Sequence, residues 1–348
     1  MLNSADAAPA KTGTRWKRVI GALCLSTLTF GTATGAQTTL LNVSFDVSRQ
    51  LFQQIDQAFC EHWKAQTGEA LVINQSHGGS TKQARAVIDG LDADVVTLNQ
   101  STDIDAIARS RKLIPANWAS LLPNHSAPYT STIIFLVRKG NPKRIRDWGD
   151  LAKPGVSVVV PNPKTSGNGR YSYLSAYAFA LEKFGHDEAK ARRFVGDLFN
   201  NVPVLDTGGR GATTTFAERG IGDALVSFEA EVLLALKEHS DQQLEAVVPS
   251  QSLEAEMPVA VVEKVARRRS TDRAARAYLE FLYTEEAQEI IAKNFYRPRA
   301  AAVSARYSTQ FGKLKLVNVD EVFGGWDKAR RVHFADGGLF DQIYQERR

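Results

Sequence analysis

The chain has 348 residues, 43 % hydrophobic and 23 % charged, the make-up of a soluble globular protein with room for two domains. Its formal net charge is +5 and is spread along the chain; Arg267-Arg268-Arg269 is the one dense basic run, and without interleaved aromatics it reads as a solvated helix surface, so no nucleic-acid partner is expected. Two cysteines, Cys24 and Cys60, exclude a disulfide framework, and His62, His77, His125, His186, His239 and His333 are scattered without metal-ligand spacing, so neither a metal nor a cofactor is expected.

Residues 1–36 carry the marks of an export signal. Lys11, Arg15, Lys17 and Arg18 precede an apolar run from Val19 to Phe30, and small residues follow through Ala33, Gly35 and Ala36, which places cleavage near Ala36–Gln37. The run is too short to span a bilayer. Leu23 before Cys24 speaks against a lipid anchor, so a protein exported and then released is expected. Losing this segment removes four basic residues and Asp6, a net of +3, and leaves about +2 with Cys60 as the one thiol. Cys60 falls in the helical pattern Leu51, Phe52, Ile55, Phe59, Trp63, where a small buried thiol fits.

From Leu40 onward strands and helices alternate. Strands are predicted at 40–45, 70–74 and 94–98, each followed by a helix, at 47–66, 80–89 and 102–111, which implies a parallel sheet covered on both faces. The run 129–138 (YTSTIIFLVR) is longer and extended, and ends in the turn Gly140-Asn141-Pro142. A second series follows: strand 156–160, helices from 166 and 187, strand 202–206, helix from 211, strand 224–228. Residues 258–263 are again extended, and amphipathic helices are predicted at 272–283 and 285–295. Two α/β series separated by two extended crossings predict an α/β fold of two lobes joined by strands. The expected division is lobe I at 37–131 plus 258–348 and lobe II at 132–257.

Four strand-to-helix turns share one chemistry. They are Phe45-Asp46-Val47-Ser48, Ser76-His77-Gly78-Gly79-Ser80-Thr81, Ser166-Gly167-Asn168, and Asp206-Thr207-Gly208-Gly209-Arg210-Gly211. A small-residue loop that opens a helix aims unpaired backbone N–H groups and the positive end of the helix dipole at one point. Ser80 and Ser166 add hydroxyls, as caps or as donors. Any one of these turns alone is ordinary in an α/β fold. Two from each lobe together suit a tetrahedral dianion held wholly by uncharged donors.

The segments LLNVSFDVSRQLF (40–52), QSHGGSTKQA (75–84), PNPKTSGNGR (161–170), DTGGRGATTTFAERGIGDAL (206–225) and FYRPR (295–299) resemble the periplasmic sulfate-binding proteins of ABC importers. The resemblance runs from about residue 39 to the C-terminus. DVSRQLF, ADVVTLNQ, KLIPANW, PKTSGNGR and GATTTFAERG are similar to the thiosulfate-binding group in particular, whereas FGGW and HFADGGLFDQIY look more like the sulfate group. The resemblance implies a periplasmic binding protein of type II, a monomeric solute receptor that is not an enzyme and that delivers sulfate or thiosulfate to the membrane subunits of an ABC permease. It implies that the ligand is held without a metal by the backbone N–H groups of Asp46, Ser80, Gly167, Asn168 and Gly209 and by the hydroxyl of Ser166. An indole donor of the sulfate group falls on Phe228, which has no hydrogen to give; this puts a strict sulfate preference in doubt. Arg170 and Arg210 match arginines that support the loops, and His77 is assigned to its loop rather than to the ligand.

Two other functions compete. His77-Gly78-Gly79-Ser80 is similar to the oxyanion stretch of esterases, but no G-x-S-x-G elbow is present to supply a nucleophile. A receptor for phosphate or molybdate would use the same loops. Phosphate keeps a proton near neutral pH and needs an acceptor, and the positions above are donors; Asp46 could accept only if its side chain turned inward.

Overall fold

The computed structural model describes residues 37–241 and 244–345. The export segment therefore lies outside the described residues. Strand β1 (Thr38–Phe45) is the centre of the first sheet, parallel to β2 (Leu71–Gly78) on one side and β3 (Val95–Thr97) on the other. Val259–Val261 returns antiparallel to β3 and closes the edge. Helices α1 (Arg49–Thr67), α2 (Ser80–Ile88) and α3 (Ser101–Arg109) follow the three strands in turn. The buried stripe of α1 is Leu51, Phe52, Ile55, Phe59 and Trp63, the stripe that its 3.6-residue period predicts. Cys60 sits beside that stripe, half-buried against the core.

Strand β1 carries polar side chains into this core and satisfies them there. Asn42 Oδ1 accepts from Thr97 Oγ1 at 2.9 Å, and Asn42 Nδ2 donates to the Tyr278 hydroxyl at 3.3 Å. That hydroxyl donates at 2.6 Å to Asp56, whose carboxyl burial pushes up to about 6. The basic run is also more than a solvated surface: Arg269 pairs with the buried Asp94 and donates to Thr39 O at 3.1 Å, and Arg268 pairs with Asp92. These contacts tie the helix Glu263–Arg269 to the first sheet.

The long extended run of residues 129–138 breaks at Thr132. Its first part, β4 (Tyr129–Ser131), is the middle strand of a small antiparallel sheet, flanked by Ala255–Glu256 and Arg297–Pro298. Its second part, β5 (Ile133–Arg138), enters the other large sheet. With β6 (Val158–Pro161), β7 (Leu205–Asp206), β8 (Ala224–Phe228) and β9 (Leu244–Val247) that sheet has the order β7-β6-β8-β5-β9. The hinge thus has three extended segments where two crossings were expected: Ala255–Glu256 lies just before the predicted 258–263, whose Val259–Val261 enters the first sheet instead, and the third is the Arg-Pro step inside FYRPR.

In the second sheet β6, β7 and β8 are parallel and carry helices α4 (Gly167–Lys183), α5 (Glu188–Asn200), α6 (Gly209–Thr213) and α7 (Glu229–Glu238). Helix α4 is buried on every side: beside the predicted face of Tyr173, Leu174, Tyr177, Ala178 and Leu181 it buries Tyr171, Ser172, Ser175 and Ala176. The C-terminal segment packs on the tyrosine stripe and, through Trp326, on Tyr171 at 4.9 Å, while Ser175 Oγ accepts from Ser252 Oγ and Leu253 N–H at 3.3 Å. Tyr173 OH and His333 Nδ1 share a hydrogen bond of 3.1 Å, Phe340 meets the Tyr173 ring edge-on at 5.8 Å, and Lys164 Nζ lies 2.9 Å from Asp341. Burial among these rings pulls the His333 imidazole down to about 4. The tail thus packs mainly on α4 and α5, helices of residues 132–257, with Trp326–Ala329 also meeting α3.

Candidate anion-binding site

Each loop singled out in the sequence lies at the carboxyl end of a parallel strand, the position at which open α/β sheets bind ligands. After β1, residues Asp46–Ser48 form a single 3₁₀ turn that leads into α1. Ser48 Oγ donates to Phe45 O at 2.7 Å and fixes that turn. Strand β2 continues to Gly78, further than predicted, so α2 begins after the one linking residue Gly79. Ser166 is the N-cap of α4 and accepts from Gly169 N–H at 3.4 Å. Helix α6 opens at Gly209.

The four loops meet. A Cβ placed on Gly79 would stand 2.5 Å from Thr165 O and 2.8 Å from Thr207 O. The second loop thus touches both the third and the fourth at a distance only glycine allows. Thr165 Oγ1 donates to Thr207 O at 3.0 Å, which joins the third loop to the fourth. A Cβ on Gly209 would stand 2.6 Å from Asn168 Nδ2 and 2.7 Å from Val47 Cγ1, so the fourth loop also reaches the first. Asn168 Nδ2 donates to Ser227 Oγ at 2.8 Å, which leaves its backbone N–H in the first turn of α4. Asp46, Ser80, Ser166, Gly167, Asn168 and Gly209 therefore belong to one cluster, at the start of α1, α2, α4 and α6.

The charged side chains around the cluster are committed to one another. Asp46 accepts from Arg210 N–H at 3.0 Å, so its carboxylate is committed to the fourth loop; burial raises its pKa, against the pull of the backbone N–H groups it accepts from. Arg170 Nε donates to Pro163 O at 3.0 Å, Nη1 donates to Gln100 Oε1 at 2.7 Å, and the guanidinium lies 3.5 Å from Asp103. Asp103 also accepts from Ser80 Oγ at 2.7 Å and from Thr81 Oγ1 at 3.1 Å. Arg210 reaches Glu238 at 3.0 Å, Gln50 Oε1 at 3.0 Å and Glu231 at 3.3 Å. Burial pushes the Glu231 carboxyl up to about 7, with Arg210 opposing. Both arginines thus brace loops, and neither offers an unpaired charge to a ligand.

His77 shares a 3.2 Å hydrogen bond with Phe45 O through Nδ1, and burial lowers its pKa, which keeps the imidazole neutral near neutral pH. Phe228 is fully buried, with its ring 6.4 Å from that of Phe45 and 5.7 Å from that of Tyr171. Phe45 opens the first loop and Tyr171 follows closely on the third, and so Phe228 stands behind the cluster. Among the described residues no group of three or more His, Cys, Asp or Glu could hold a metal ion.

Sequence reasoning missed a fifth loop, Asn99–Gln100, between β3 and α3. It holds no glycine; the available signals were its place at the carboxyl end of a strand and at the end of the segment ADVVTLNQ. Asp103 and Glu231 were missed as well, because nothing local to an acidic residue in a helix shows which distant arginine it will meet.

The bacterial extracellular solute-binding proteins share a sequence profile that matches residues 41–297. The sulfate-binding protein of Salmonella typhimurium is 58 % identical over 304 residues, 87 % of this chain and 92 % of the relative. The thiosulfate-binding protein of Pseudomonas aeruginosa is 53 % identical over 329 residues, 94 % of this chain and 99 % of the relative. Among solved structures, the sulfate-binding protein SubI from Mycobacterium tuberculosis matches with a TM-score of 0.78 at 31 % identity, over 86 % of this chain and all of that one. The iron-binding FutA from Trichodesmium, at 20 % identity and a TM-score of 0.57, shares the fold alone, that of the type II periplasmic binding proteins. With its sequence, topology and loop cluster in agreement, the chain belongs to the bacterial extracellular solute-binding proteins, in the branch of the sulfate- and thiosulfate-binding proteins.

Proposed function

We propose that this protein is an exported periplasmic receptor that captures sulfate or thiosulfate and hands it to an ABC permease. The observation that carries this reading is the meeting of four helix-opening loops at Gly79, Thr165, Thr207 and Gly209, with Arg170 and Arg210 already paired. Such a site offers a dianion peptide dipoles and N–H donors in place of free cations. The donors are the backbone N–H groups of Asp46, Ser80, Gly167, Asn168 and Gly209, with the Ser166 hydroxyl. Residues 37–131 and the strand and helices from 258 form lobe I. Residues 132–257 form lobe II, to which the packing of residues 319–345 adds the tail. An anion bound to both lobes shifts their population toward closure, and the closed surface is what the permease reads.

A hydrolase is disfavoured by the partners of its would-be residues. Ser80 Oγ donates to Asp103, a carboxylate bound in turn by Arg170, and His77 turns to Phe45 O. Neither pair forms a nucleophile and its base. A phosphate receptor is disfavoured by Asp46, the one acidic side chain in the donor set, whose carboxylate already accepts from Arg210 N–H. Equilibrium dialysis of anion-stripped protein against radiolabelled sulfate and thiosulfate tests the proposal. Saturable binding at one site per chain is expected, with the anion recovered unchanged; no saturable binding of either anion would overturn it.

A further inference from the structure

Between the two halves of the cluster lie Asn99 and Gln100, buried to 2 % and 0 % exposure. Both side chains press on Gly167, the first residue of α4. A Cβ there would stand 1.9 Å from Asn99 Oδ1 and 3.0 Å from Gln100 Cγ. A glycine hydrogen takes that place, and Asn99 Oδ1 is itself buried without a hydrogen-bond partner. The Gln100 amide is oriented from one end: Oε1 accepts from Arg170 Nη1 at 2.7 Å, and Arg170 is itself held by Pro163 O and Asp103. At the other end Nε2 is buried without any partner in the protein. A buried donor left unmade is expensive, and native structures rarely keep one without a use.

We propose that Gln100 is a direct ligand residue, whose Nε2 donates to an oxygen of the bound sulfur oxyanion beside the backbone N–H of Gly167. This rests on the receptor reading above and deepens it. The corner held by Phe228 has no hydrogen to give, and Gln100 supplies a neutral donor from the opposite half of the site. An amide favours the oxygens, and the phenyl corner is left to a polarisable sulfur. Together they describe a receptor that accepts thiosulfate with its sulfur away from Gln100.

Gln100→Glu and Gln100→Leu test this by titration with sulfate and with thiosulfate. The glutamate keeps the acceptor that holds Arg170 but turns a carboxylate oxygen toward the dianion, and such like-charge contact is severe. Affinity for both anions is expected to fall about 100-fold or more, with an unchanged melting temperature. The leucine variant removes the donor together with the acceptor that Arg170 Nη1 uses, and is expected to lose about tenfold or more, equivalent to at least ~1.4 kcal/mol. If Gln100→Glu bound either anion within about threefold of the wild type, the amide would not face the ligand and the proposal would fall. The glutamate result decides even if the leucine variant fails to fold. Wild-type protein that bound neither anion would overturn the receptor reading itself, a distinct outcome.

Discussion

Ser166 does two jobs at the start of α4. Its oxygen accepts Gly169 N–H and its hydrogen is left for the anion. Ser166→Ala should therefore weaken sulfate binding by roughly 1–2 kcal/mol, the loss of one hydrogen bond to a charged acceptor. It should also cost about 1 kcal/mol of stability through the lost cap. Titration and thermal melting separate the two effects. His77→Ala should weaken binding less, because its ring bonds Phe45 O rather than a ligand donor; a larger loss at His77 than at Ser166 would move the site. Phe228 joins a structural and a functional constraint. The ring is enclosed by Phe45 and Tyr171, so Phe228→Trp should destabilise the fold by about 1–3 kcal/mol through overpacking. The new indole donor should shift the binding ratio toward sulfate by up to roughly 1.5–3 kcal/mol. Competition titrations on both proteins measure it, and an unchanged ratio would mean that the ring does not face the anion.

At the scale of elements, the helices of the first series were legible because each buries one stripe and exposes the other, and strands β1 and β3 because they read as short, largely apolar runs buried on both faces. The stripe of α1 emerges residue for residue. The limits of that reasoning show in α4, where Tyr171 packs edge-on against Trp326 more than 130 residues away in sequence and Ser175 Oγ accepts from Ser252 Oγ and Leu253 N–H. A single-sequence period cannot announce a second cover. Strand β7 was read too long, because only Leu205 and Asp206 pair with β6. The small residues of the four loops were legible; the Asn99–Gln100 loop was not, since its use depends on contact with Gly167 across the cleft. The tail also carries a titration. His333 is held neutral among Tyr173, Tyr177, Phe323 and Phe334, with a pKa near 4 against an ordinary 6.5. A depressed folded-state pKa means that this stability is fully present above the unfolded value and is lost as pH falls toward the folded one. Acidification from about pH 6.5 to 4 should thus remove up to roughly 3 kcal/mol through this residue. His333→Phe keeps the ring and should flatten that limb of the melting curve; the same acid slope in the variant would assign it to other groups.

At the scale of the whole molecule, closure depends on backbone meeting backbone. Gly79 has φ −55° and ψ 134°, a conformation open to alanine, yet its Cβ direction is filled by Thr165 O and Thr207 O. Gly79→Ala should leave the unliganded protein within about 0.5 kcal/mol of wild-type stability, as ordinary loop substitutions do. It should lower anion affinity by tenfold or more, because a side chain now props the two lobes apart. Small-angle scattering with and without sulfate would show compaction in the wild type and little in the variant. Equal compaction in both would mean that these loops do not set the closed state.

The central claim is that neutral donors alone hold a fully deprotonated dianion. It is tested most directly by calorimetric titration of the anion-stripped protein near pH 7 with sulfate, thiosulfate and phosphate under one buffer. Hydrogenphosphate brings a proton for which the donor set has no acceptor, at a cost of roughly 1–3 kcal/mol per unmatched group. Sulfate and thiosulfate should both bind, and phosphate should bind at least about tenfold more weakly than either. Phosphate binding within a few-fold of sulfate would contradict the account.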